Sequence, residues 1–429
     1  MNPSGFEPTN LSISYEASNW FFDLLPLNNL IAVQREFLKV DMQEIQKAMG
    51  CKEAIDFVFA ADQYVLVAVC LKERKVATYR YQEGRKLCFL HTSNIGGAWI
   101  DAVGSAKKEY WRGSEGPSSL VCFLFVLTRE NTVIKISVQP SNYSLIEEYS
   151  VTFDQQIKYK NILLDNKPQM LINPKKQPKN AVYLWVPSNK VLQNWYLYND
   201  GTKELQREVR IKRPKWTAKE GTPEVVYDPQ ALTMCVDEIE GSVICADRTN
   251  HILFECSLKT SHSEVLCGQG EPGCLEENTK TPLAFLNAPC APLVLRPMEF
   301  ISLEQFSPFA KNVLSAEKSK NKHYSYGKKP RMILVCDAGN HAVRKIWQFP
   351  DSSQAQDMAK LNRIYTMLGE SKIMGCSGEL LGLHCGQPKR LFIGPSGRLT
   401  VTTSSSVYIF APEFVVVEEK IAESLPYTS

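Results

Sequence analysis

The sequence predicts an all-β fold of six small sheets arranged radially, a six-bladed β-propeller, with seven blades as the alternative. Three observations predict it. One strand–turn–strand unit recurs six times. The recurrences are nearly evenly spaced. Each unit has the β-branched, aromatic and period-two character of strands rather than the 3.6-residue period of helices.

The unit is a short apolar strand, a polar turn, and a second strand that starts on a β-branched residue. Val67–Cys70 turns through Lys72–Lys75 into Val76–Tyr79. Phe123–Val126 turns through Arg129–Asn131 into Val133–Ile136. Val182–Trp185 turns through Pro187–Lys190 into Val191–Leu192. Val243–Ala246 turns through Asp247–Asn250 into Ile252–Phe254. Ile333–Cys336 turns through Asp337–Asn340 into Val343–Ile346. Leu399–Thr402 turns through Ser404–Ser406 into Val407–Phe410. The anchors Val76, Val133, Val191, Ile252, Val343 and Val407 are separated by 57, 58, 61, 91 and 64 residues. The long gap contains residues 299–329, which read as a loop insertion; without those 31 residues the gap is 60. About 60 residues hold four strands of roughly five to six residues plus turns. One such unit cannot bury its own faces, so copies must pack on one another. Radial closure protects the sheet edges.

The ends follow from closure. Residues 1–49 form an N-terminal segment with two strand-like runs, Asn29–Val33 and Phe37–Val40, and a helical turn at Glu44–Met49. They are too little for a blade and are expected to complete the sixth. Residues 50–418 form the propeller, Phe414–Val417 offers one more strand, and 419–429 is a tail.

Composition bounds the function. The chain has 429 residues, 44% apolar and 22% charged, with 49 basic against 46 acidic side chains and a net charge of +3. That near-balance excludes a polycation, but local basic patches remain available. The N-terminus lacks a basic region followed by an apolar one, and the longest apolar run, Leu120–Leu127, is far short of the ~20 residues of a span. The expectation is a cytoplasmic protein, with the nucleus as a second compartment and no membrane insertion. Of thirteen cysteines, many sit in apolar strands, where a thiol behaves as a small hydrophobe. No pair has C-x-x-C spacing. Cys267 with Cys274, and Cys376 with Cys385, are the only loop pairs spaced for a metal or disulfide; no structural disulfide is expected.

Two units carry a more specific pattern. Ser242–Ile252 runs as an apolar strand into Asp247, two residues, Asn250, His251 and an aliphatic. Asp337-Ala-Gly-Asn340-His341-Ala-Val343 repeats it. The connectors Leu266–Cys274 and Leu368–Cys376 are glycine-rich and are followed by proline-led strands at Pro289 and Pro388; Asp228–Leu232 opens the fourth unit in the same way. Over residues 224–412 this resembles the NHL-repeat family; over 50–200 only the strand pattern matches. The resemblance implies a propeller in which Asp247 and Asp337 accept turn N–H groups, Asn250 and Asn340 take the left-handed turn position, and His251 and His341 bridge to the next blade. Metal binding or acid–base work by these histidines is the competing reading.

The chemistry-bearing motifs are sparse. Gly268–Gly273 matches G-x-G-x-x-G, but no amphipathic helix follows it, so a loop is expected rather than a dinucleotide site. No G-x-S-x-G or H-E-x-x-H occurs. No catalytic residue, metal or cofactor is assigned. Three basic segments are the better leads. They are 175–179; 207–216, with Lys212, Arg213, Lys215 and Trp216; and 311–331, with Lys320, Lys322, Tyr324, Tyr326, Lys328 and Lys329. These are the candidate interaction residues. The expectation is a non-catalytic protein-interaction scaffold. A single-stranded RNA-binding propeller, as some NHL propellers are, is the alternative, with those aromatics stacking bases. A metal-dependent propeller hydrolase or lyase is the third reading.

Overall fold

The computed structural model describes residues 30–60, 65–82, 86–94, 96–108, 120–139, 142–164, 180–198, 200–214, 228–237, 240–273, 284–295, 331–348, 364–369, 386–393 and 399–416. The strands are β1 (Leu30–Asp41), β2 (Phe57–Ala60), β3 (Val65–Cys70), β4 (Lys75–Gln82), β5 (Lys86–Asn94), β6 (Trp99–Lys108), β7 (Leu120–Thr128), β8 (Thr132–Val138), β9 (Leu145–Thr152), β10 (Asn161–Leu164), β11 (Asn180–Val186), β12 (Val191–Leu197), β13 (Lys203–Arg210), β14 (Leu232–Asp237), β15 (Ser242–Asp247), β16 (Ile252–Ser257), β17 (Ser263–Cys267), β18 (Pro289–Leu295), β19 (Arg331–Asp337), β20 (Ala342–Gln348), β21 (Ile364–Gly369), β22 (Pro388–Ile393), β23 (Leu399–Thr403) and β24 (Ser406–Val416). One helix, α1 (Met42–Met49), follows β1.

The strands form six four-stranded antiparallel sheets. Five are consecutive: β2–β5, β6–β9, β10–β13, β14–β17 and β18–β21. The sixth has the order β22, β23, β24, β1. The first strand of the chain therefore supplies the outer strand of the last blade, pairing from Leu30 opposite Val416 to Asp41 opposite Ser406. This is a six-bladed β-propeller, and the seven-bladed alternative does not occur. The two strand-like runs at 29–33 and 37–40 are one strand bent by a bulge between Gln34 and Glu36. Likewise Phe414–Val416 continues β24 instead of starting a new strand. Each of the six anchors lies at or next to the start of its blade's third strand.

Burial explains the pattern the sequence carried. A blade is covered on both faces by its neighbours, so its second strand is wholly buried: every residue of β3, β15 and β23 is inside. Outer strands meet solvent and alternate, as β9 and β13 do. The core is a set of layers between successive blades. Phe59, Val67 and Val69 pack on Leu124 and Val126. Phe125 and Val133 pack on Val182 and Leu184. Tyr183 and Trp185 pack on Met234 and Cys245. Ile244 and Leu253 pack on Ile333 and Val335. Helix α1, capped by Asp41 and ended by Gly50 at φ 61°, buries Met42, Ile45 and Met49 against the first blade and β24. The innermost strands are close-packed: an ideal Cβ on Gly104 of β6 would lie 2.6 Å from ring carbons of Phe59 on β2.

Candidate functional site

Every blade runs from the axis outward, so all six innermost strands begin on the same face. Their first residues make a polar ring at the mouth of the axis. Blade one supplies Asp56, just before β2; blade two Asp101 of β6; blade three Lys160 and Asn161 at the start of β10. Blade four supplies Asp228, which caps the short 3-10 turn Pro229–Ala231, and Arg248; blade five Cys290 of β18; blade six Lys389 and Arg390 of β22.

Asp101 organises the ring. It is 2% exposed, so its charge needs partners. Arg390 donates from Nη2 to Oδ1 at 2.5 Å. Asn161 Nδ2 and the Ile162 N–H donate to Oδ2 at 3.1 and 3.0 Å. The carboxylate thus ties three blades together, and its negative charge raises Arg390 in turn, holding the guanidinium protonated. Asp56 accepts from the Leu71 N–H at 2.7 Å; burial nonetheless pushes its carboxyl above the ordinary 3.8. Burial also lowers the Lys160 ammonium, against the pull of Asp228 and Asp101. The result is one braced ion pair, Arg390 with Asp101, set among other charged side chains, of which Arg248 is exposed.

The turn between second and third strands opens on this same face, and there the repeat residues do structural work. Asp247 accepts from the Thr249 and Asn250 N–H groups at 3.1 and 3.0 Å and from Asn250 Nδ2 at 2.6 Å. Asp337, fully buried, accepts instead from the Asn287 N–H of the incoming connector at 2.7 Å, from Asn340 Nδ2 at 2.8 Å and from Arg344 Nε at 2.9 Å. Asn340 Nδ2 also reaches Gly273 O at 2.7 Å. The left-handed positions correct the sequence expectation: they are His251 (φ 54°) and His341 (φ 51°), not the asparagines, whose amides are spent on the aspartates. Blades one to three put Arg74, Asn131 and Lys190 at left-handed φ in the same turn. His251 does bridge blades, its Nδ1 accepting from the Ala288 N–H at 2.9 Å. His341 is exposed. The Gly268–Gly273 segment is a connector, with Gly268 and Gly270 at positive φ and Pro272 bridged to Leu286.

Of the basic candidates the structure describes two. Lys212 is exposed and Arg213 half-buried, just beyond β13 on the connector to blade four, on the axial-mouth face. Lys215 and Trp216 lie outside the described residues, as do Lys320, Lys322, Tyr324, Tyr326, Lys328, Lys329, residues 175–179, and Cys274, Cys376 and Cys385. The segments holding 175–179 and 320–329 join first to second strands, between the paired ends Leu164 and Val182 and between Leu295 and Met332. Those ends lie on the opposite face from Lys212. The axial ring was missed by sequence reasoning; Asp56 before β2, Asp228 before β14 and the leading prolines of β18 and β22 mark four of the six innermost strands, and nothing comparable precedes β6 or β10.

No protein-family model matches the chain, and no curated protein matches it. Among solved structures it is similar to an auxiliary nutrient binding protein from Bacteroides ovatus ATCC 8483, at 11% identity over 83% of this chain and 68% of that one, with a TM-score of 0.42. It is also similar to one of the same description from Bacteroides thetaiotaomicron VPI-5482, at 10% identity over 84% and 69%, with a TM-score of 0.43. A streptogramin B lyase is similar at 8% identity over 88% and 98%, with a TM-score of 0.37. At such identities the likeness concerns the fold alone. The strand pairing itself establishes what the chain is: a six-bladed β-propeller closed by its own N-terminal strand.

Proposed function

We propose that the chain is a divergent NHL-like propeller that works as a non-catalytic, intracellular interaction platform for an acidic protein partner. One observation carries the reading. The connections 109–119, 165–179 and 296–330 each join a first strand to a second, so these three attach on one face of the disc. Residues 165–179 hold four lysines and one aspartate, and 296–330 hold six lysines and an arginine against three glutamates. Those two connections therefore carry net charges of +3 and +4, while 109–119 carries −1. Loops on a rigid scaffold are where recognition residues accumulate.

The state of the axial carboxylates supports a non-catalytic role. Asp101 has both oxygens engaged by protein donors, and a metal or substrate would have to displace them. The resemblance in the Asp–Asn–His turns supports the NHL-like assignment. RNA binding is the second reading, favoured by the same lysines with Tyr324 and Tyr326; a metal-dependent hydrolase or lyase is the third. A cytoplasmic or nuclear setting belongs to the proposal.

The test is affinity purification of the full chain from cells with mass spectrometry, with and without nuclease. A stoichiometric protein partner that survives nuclease and dissociates in high salt is the expected result. Loss of all partners on nuclease treatment would replace this reading with RNA binding.

A further inference from the structure

Two cysteines face each other at the axial mouth. Cys290 is the second residue of β18, and Cys336 stands directly opposite it on β19. Opposed residues of an antiparallel pair project from the same face with Cβ atoms about 4.5–5.5 Å apart. A disulfide needs about 3.5–4.5 Å, so a small closure joins them. The two thiols lie within hydrogen-bond reach of each other. The Cys290 thiol also donates weakly to the carbonyl oxygens of Pro388 and Lys389 on blade six, both at 3.9 Å, contacts that are lost when it ionises.

The two differ in access and charge. Cys336 is fully buried, whereas Cys290 is half-buried at the ring. The groups facing Cys290 are the Cys336 thiol, the guanidiniums of Arg390 and Arg248, and the Asp337 carboxylate. A hydrogen bond from Cys336 and the two arginines favour the thiolate; burial and Asp337 oppose it. The balance lowers the Cys290 thiol from its ordinary value of 9.0. Other buried cysteines go the opposite way: desolvation pushes Cys51 up to about 12 and raises Cys70, Cys245 and Cys267. Cys51 and Cys70 also lie close to each other beside Glu73. There the carboxylate is occupied by the Lys52 and Glu53 N–H groups and by Lys75, and neither thiol is activated.

We propose that Cys290 is a peroxide-reactive thiol and Cys336 its resolving partner, so that the axial mouth of blade five is a reversible oxidation site for small hydroperoxides. The Cys290 thiolate attacks one peroxide oxygen. The S–O bond forms as the O–O bond breaks, sulfur gives up two electrons, and the leaving oxygen takes a proton to become alcohol or water. Cys336 sulfur then attacks the sulfenic sulfur. The S–S bond forms, the S–O bond breaks, and hydroxide leaves with the Cys336 proton as water. One peroxide is reduced and two thiols become one disulfide, which an external thiol reverses.

The full-length protein is exposed to hydrogen peroxide, alkylated, and mapped by peptide mass spectrometry. The expected result is a peptide pair joined through Cys290 and Cys336, two hydrogens lighter than the sum and separated by dithiothreitol. Without peroxide, iodoacetamide should label Cys290 at least about tenfold faster than Cys51 at neutral pH. In Cys336→Ala, which keeps the site apolar, oxidation should stop at a sulfenic acid on Cys290 that dimedone traps. Cys290→Ser should leave Cys336 reduced. Cys290 remaining reduced under peroxide, or joining a different cysteine, would overturn the proposal. So would Cys336→Ala giving the same product as the parent.

Discussion

Gly104→Ala tests the contact that closes blade one on blade two. Gly104 lies inside β6 with a backbone any L-residue adopts, so alanine carries no torsional cost and removes some chain entropy from the unfolded state. The cost is steric. The new Cβ would lie 2.6 Å from Cε1 and Cζ of Phe59 and 3.0 Å from Cδ1. Carbon atoms rest at about 3.5–4.0 Å, so the overlap is about 1 Å. The ring has no free direction: it is fully buried and packs on Phe392 at 4.6 Å and Phe57 at 6.1 Å between centroids. Overpacking of this kind costs about 1–3 kcal/mol. Phe59→Leu alone should cost about 1–2 kcal/mol. In the double variant the smaller leucine leaves room for the alanine, and the loss should fall about 1 kcal/mol short of the sum. Urea unfolding followed by far-ultraviolet circular dichroism and tryptophan fluorescence measures all four proteins, and coincident transitions license the comparison. A Gly104→Ala protein as stable as the parent, or strictly additive losses, would refute the close packing of the inner strands.

Four further outcomes are expected. Arg390→Met should destabilise by about 3–5 kcal/mol, because it strands the buried Asp101 carboxylate; chemical denaturation reads this, and a loss under about 1 kcal/mol would mean that Asn161 and Ile162 suffice. Arg344→Met should cost a similar amount through Asp337, with Asp337→Asn in the same background recovering part of it in a double-mutant cycle. His251→Ala should cost about 1–3 kcal/mol by leaving the Ala288 N–H without its acceptor. Burial lowers His251 below 6.5, so the unfolded chain binds the proton first. Its contribution is present above pH 6.5 and is lost as pH falls through the folded value; unfolding midpoints over that window should lose a matching part of their slope in the alanine variant. Deleting 311–329 should leave the melting temperature nearly unchanged, since loop length costs little closure entropy, while abolishing capture of the partner in the affinity experiment.

The six anchors were legible because each follows a tight turn and five of them, all but the half-buried Val191, are buried between two blades, which favours a β-branched residue at a fixed place in every repeat. The proline-led strands at Pro289 and Pro388 were legible for a related reason: proline suits the first position of a strand. The left-handed residue was misplaced because asparagine is the usual occupant; here its amide is needed by Asp247 and Asp337, and the histidine after it takes the strained position. The axial ring was not legible. Asp101 and Arg390 are 289 positions apart, and only closure of the circle makes them neighbours. Its members share no motif, since blades one, two and four contribute aspartates at different places relative to the strand start and the other blades contribute lysine, asparagine, cysteine or arginine. The opposed pair Cys290 and Cys336 was hidden likewise, because residues 296–330 separate two strands that are adjacent in space.

Closure by β1 sets an order of events during synthesis. Residues 30–41 leave the ribosome before every other strand of the propeller, yet their partner strand begins at Ser406. At roughly 5–20 residues per second, β1 waits on the order of 20–70 s while the other blades form. Throughout that time its backbone donors and acceptors are an open edge, the kind of surface that recruits foreign strands. Helix α1, which folds locally beside it, is the first element able to anchor it to blade one. Nascent-chain proteolysis would show this: cleavage within 30–41 should persist until β24 emerges, long after blade one has become resistant.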